Sequence, residues 1–85
     1  MNNIFDTESR SAAQWLDLGF SLRRSAKFGE AINAFNSAIE AVEKQWASAS
    51  EQERLTLSDI KKKSLASIGL IQEINGFVNV DLMNP

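Results

Sequence analysis

The chain has 85 residues, a formal charge of −2 at pH 7, and neither cysteine nor histidine. That composition excludes disulfide staples and thiolate chemistry and removes the commonest metal ligand and general base. It leaves one domain, residues 1–85, whose small core must be well packed or shared with another chain. A nearly neutral charge supplies neither a nucleic-acid field nor attraction to a membrane surface. No run approaches the roughly eighteen apolar residues of a membrane span. Met1–Asn2–Asn3 lacks the basic-then-apolar pattern of a signal peptide, so the expected location is cytoplasmic.

The single proline is Pro85, and the interior is rich in helix-forming residues without a period-two pattern. The first helix is expected over about 10–25. Ser9 or Ser11 can cap it, and Asp6 and Glu8 suit its N-terminal dipole. Ala12, Trp15, Leu18, Gly19 and Leu22 recur at three- and four-residue steps and form one apolar stripe. Arg23, Arg24 and Lys27 close the helix with the charge its C-terminus favours.

Ser25–Ala26–Lys27 reads as the turn into a second helix over about 28–47. Its stripe is Phe28, Ala31, Ile32, Phe35, Ala38, Ile39, Val42 and Trp46, and Glu40 with Lys44 suggests an i, i+4 ion pair on the wet side. Ala47–Ser48–Ala49–Ser50 is the break. Ser50 followed by Glu53 is a capping box that starts a third helix over about 51–74. The expected stripe there is Leu57, Ile60, Leu65, Ile68, Ile71 and Ile74, with Asn75–Gly76 as the C-cap. Residues 77–85 form a tail with enough apolar content to dock on a helical groove.

The residues Trp15, Leu18, Gly19 and Leu22, followed by Ala31, Phe35 and Ala38, resemble a tetratricopeptide repeat, whose pattern is Trp-x2-Leu-Gly-x2-Tyr, then Ala-x3-Phe-x2-Ala and proline. Leu22 stands in place of the tyrosine. Glu43 stands near the place of the proline, which predicts a longer second helix. The resemblance covers about residues 12–45. Leu65-x2-Ile68-Gly69 echoes the first half of the motif, so residues of about 62–76 resemble a second half-repeat, with Gly69 expected to pack closely on the second helix. The resemblance implies an all-α fold: an antiparallel hairpin with a long third helix and a short C-terminal tail. Gly19, Ala31 and Ala38 are the small residues that let the paired helices approach.

In related repeats the other face of the first helix lines a groove where peptides dock. Here that face carries Leu16, Phe20 and Arg23, which together with Arg24 are the candidate partner-binding residues. Families that grip a C-terminal carboxylate place lysine and asparagine where this chain has Leu16 and Phe20, so that clamp is not expected. Trp15 is expected in the core and Trp46 in the core or an interface. Lys61–Lys62–Lys63 reads as a solvated face, with nucleic-acid binding a remote third reading. Asp17, Glu30, Glu40, Glu43 and Glu73 lie scattered without a nucleophile or base beside them. The reading is a non-enzymatic protein-interaction module with a protein or peptide partner, and with no cofactor, metal, nucleic acid or membrane. The rival is a structural, homo-oligomeric helical protein.

Overall fold

A computed structural model of the chain describes residues 10–75. These form three helices and no strand: α1 (Ala12–Arg24), α2 (Phe28–Trp46) and α3 (Glu51–Asn75). The fold is all-α, with α1 and α2 paired as a hairpin and α3 packed mainly on α2, touching α1 over a smaller area. Asp6, Glu8, Ser9 and the tail 77–85 lie outside the described residues.

Local chemistry sets each boundary. Ser11 caps α1: its Oγ accepts from the Gln14 amide at 3.1 Å, and Gln14 Oε1 accepts from the Ser11 amide at 2.8 Å. The pair satisfies two amides that the first turn of a helix leaves without partners. At the other end the Ala26 amide donates to Arg23 O at 3.0 Å and the Lys27 amide to Leu22 O at 2.9 Å. This double closure is a Schellman motif, which needs a left-handed residue between the helices. Ala26 fills that position, with φ 62°.

The second helix runs 19 residues to Trp46, long as the missing proline predicts. The expected box at the start of α3 is formed: Glu53 Oε1 accepts from the Ser50 amide at 2.8 Å, and Ser50 Oγ from the Glu53 amide at 3.1 Å. Arg54 then reaches back, its Nε donating to Trp46 O at 2.9 Å while its guanidinium lies 5.3 Å from the Trp46 ring centroid. One side chain thus joins the Ala49 amide on the last carbonyl of α2 and covers the indole.

The core joins Ala12 and Leu16 of α1, Ala31, Phe35, Ala38 and Val42 of α2, and Leu57, Ile60 and Ile71 of α3. Phe35 is fully buried, and Gly19 is buried opposite it, where an added Cβ would meet the Phe35 ring. Gly19 therefore lets the hairpin close as expected, and Ala31 and Ala38 are fully buried.

The structure corrects the sequence reading in four places. First, α3 buries Leu57, Ile60, Ser64, Ser67 and Ile71, a seam with steps of three and four. Leu65 and Ile74, expected on that seam, are exposed at 53% and 65%. Second, Gly69 faces open space with nothing within 4 Å of an added Cβ, so it does not pack on α2. At about 100° per residue the seam through Ser64 and Ser67 turns Leu65 and Gly69 away from α2. Third, no ion pair joins Glu40 to Lys44. Glu43 instead pairs with Lys61 across α2 and α3 at 3.6 Å. Fourth, Leu16, expected on the open face of α1, is buried in the core cluster, whereas Trp15 packs against that cluster half-buried, with the Arg10 guanidinium 4.9 Å from its ring centroid.

Candidate interaction surface

The four residues expected on the groove face of α1 divide into two groups. Leu16 is only 7% exposed and belongs to the same core cluster as Leu57 and Ile60. It offers no surface to a partner, because α3 lies against α1 as well as α2 and closes over that part of the face. Phe20 and Arg23 are half-buried, and Arg24 is exposed.

Phe20 is held from behind. Its ring meets Phe35 edge to face, with centroids 5.5 Å apart and planes at 68°. That geometry places the positive edge of one ring on the negative face of the other. The Arg23 guanidinium lies 5.3 Å from the centroid of the same Phe20 ring, within the range of a cation–π attraction. One turn of helix spaces Phe20 from Arg23 and Arg24, so an apolar ring and two permanent cations share the end of α1. Phe35 fixes the ring's position, and Arg23 leaves part of it open to solvent.

Two open clefts lie elsewhere. One, of about 430 Å³, is bordered by Ala12 and Ala13 of α1, Ala49 of the connection, and Thr56, Leu57 and Ile60 of α3. The other, of about 420 Å³, lies between α2 and α3 at Val42, Trp46 and Ser58, with the Glu43–Lys61 pair on its rim. Among the described residues, no three acidic side chains come together as a metal site would require.

The lysine run is partly committed to neighbours: Lys61 to Glu43, and Lys63 to Asp59 at 3.0 Å. Trp46 is 39% exposed and covered on one side by Arg54. Sequence reasoning missed the Arg54 contacts, which join positions eight residues apart through the inter-helix break. It also missed the outward turn of Leu65, which apolarity alone assigned to the core. The chain matches no family model, no curated protein and no solved structure. No helix among the described residues is long and apolar enough to cross a membrane.

Proposed function

We propose that the chain is a non-enzymatic, cytoplasmic protein-interaction module of the tetratricopeptide kind, which holds a protein or peptide partner at the C-terminal end of α1. The observation that carries this reading is the Phe20 ring, braced by Phe35 and flanked by the Arg23 cation. Aromatic and arginine side chains dominate the energetics of protein interfaces, and a ring already held in place loses little entropy on binding. Arg24, exposed beside it, adds a second cation. The contact set is therefore Phe20, Arg23 and Arg24, with Leu16 supporting them from the core. The complementary ligand carries an apolar side chain for Phe20 and an acidic group for the arginines.

Selection from a displayed peptide library, followed by fluorescence polarisation, tests this. Selected peptides should combine an aromatic or aliphatic anchor with acidic residues. The double variant Arg23→Glu, Arg24→Glu should bind them at least about tenfold more weakly. Phe20→Ala should weaken binding further while circular dichroism confirms that the helices persist. Peptides without acidic residues, or affinities indifferent to both variants, would remove the proposal.

A further inference from the structure

The outer face of α3 carries residues that no contact within the described chain explains. Lys62, Leu65, Ala66, Gly69, Leu70 and Glu73 recur at steps of three and one along the helix and are all exposed. Helical periodicity puts these positions on one face. Leu65 and Leu70 keep 53% and 45% of their surface in water. Gly69 sits mid-helix, where glycine costs about 1 kcal/mol against alanine, yet no neighbouring group comes close enough to account for a missing side chain.

The order of these six residues is self-complementary. Read from Lys62 the face runs cation, leucine, small, small, leucine, anion, with the same spacing from either end. A second copy laid antiparallel on this face puts Lys62 opposite Glu73 and Leu65 opposite Leu70, with Ala66 and Gly69 at the crossing. A parallel arrangement would instead set Lys62 against Lys62 and Glu73 against Glu73. Small residues at the crossing let two helices approach toward the short end of the usual 8–10 Å range. Their leucines then cover each other on both sides. The neighbouring Lys63 is already neutralised by Asp59 on its own helix, so it opposes no approach.

We propose that two copies of this chain associate through the outer face of α3, antiparallel about the Ala66–Gly69 crossing. The arrangement is isologous: each copy presents the same patch, and the two Lys62–Glu73 pairs are equivalent by symmetry. This surface is separate from the end of α1, so the dimer would present two Phe20 sites.

Sedimentation velocity on the full chain, run from about 1 to 300 µM, tests the proposal. A reversible monomer–dimer equilibrium within this range is expected. Leu65→Asp should abolish the dimer while leaving the helical signal intact, and its thermal midpoint should equal that of the unaltered chain when both are measured at about 1 µM, below the dimer's range. Lys62→Glu should weaken it roughly tenfold, because both ion pairs become like-charge pairs. Adding Glu73→Lys to that variant should restore association, which happens only if the two positions face each other between copies. Arg24→Glu should leave association unchanged. A chain that stays monomeric across the range overturns the proposal, and so does a dimer insensitive to Leu65→Asp and to the charge exchange. A monomer in which Leu65→Asp lowers the thermal midpoint also overturns it, by placing another part of the same chain on this face.

Discussion

A methyl group on Gly19 would lie 2.5 Å from Cε1 of Phe35, inside any contact two carbons can make. The fit between these residues sets the spacing of the α1–α2 hairpin, because Phe35 is fully buried and its ring has no free side to retreat to. The same ring braces Phe20. The contact that Gly19 makes with Phe35 is therefore tied to the position of the proposed contact residue.

Gly19→Ala should therefore destabilise the protein, although alanine favours helix. The propensity gain is about 1 kcal/mol, and overpacking of a filled core costs about 1–3 kcal/mol. The expected net loss is therefore up to about 2 kcal/mol in urea unfolding. Gly69→Ala is the opposite case, since an added Cβ there meets nothing. Measured at low micromolar concentration, it should gain about 1 kcal/mol. Equal effects at the two sites would show that the Gly19–Phe35 contact does not set the hairpin spacing.

Ala26→Gly should stabilise the fold. Ala26 holds φ 62° to complete the closure at the end of α1, and a left-handed residue with a Cβ carries a strain of about 1–2 kcal/mol. Glycine removes that strain and gives back part of it through a more flexible unfolded chain. The expected result is a gain of about 1 kcal/mol in chemical denaturation, with no change in the circular dichroism of the folded state. A loss would mean that the turn does not require the left-handed conformation.

Helix boundaries were legible in the sequence because they are local. Ser50 and Glu53 find each other within one turn, and the stretch from Ser25 to Lys27 had to be a turn whatever lay around it. The hairpin was legible for a related reason: Gly19, Ala31, Phe35 and Ala38 state by their sizes which surfaces meet. The orientation of α3 was not legible, because apolarity named Leu65 while packing chose Ser64. A helix docking on two others takes the rotation that brings its backbone nearest, and small side chains permit this where leucine does not. The same event buried Leu16, which had read as groove surface. Of the proposed site, the shared face of Phe20 and Arg23 could be anticipated from helical spacing, whereas the Phe35 brace and the α3 face required coordinates.

Removing the Arg54 side chain should loosen the α2–α3 connection. Its guanidinium donates to Trp46 O and covers the Trp46 ring, joining a charged hydrogen bond to a cation–π contact near solvent. Arg54→Ala should cost about 1–1.5 kcal/mol. Emission from Trp46, recorded with Trp15→Phe to silence the other indole, should shift to the red as the ring gains water. An unchanged spectrum together with unchanged stability would show that the contact contributes nothing in solution.

The Ser64 hydroxyl is fully buried on the seam of α3 and has no hydrogen-bond partner. A buried serine within a helix often donates to a carbonyl one turn back, but this one does not. An unsatisfied buried hydroxyl costs about 1–3 kcal/mol, and alanine occupies nearly the same volume with a better helix propensity. Ser64→Ala should therefore raise stability by about 1–2 kcal/mol in urea unfolding with an unchanged m-value. Ser64→Leu should lower it by overfilling the contact that fixes the rotation of α3. If Ser64→Ala instead destabilised the fold, the hydroxyl would be making a hydrogen bond in solution and the seam would owe its rotation to that bond rather than to the smallness of the side chain.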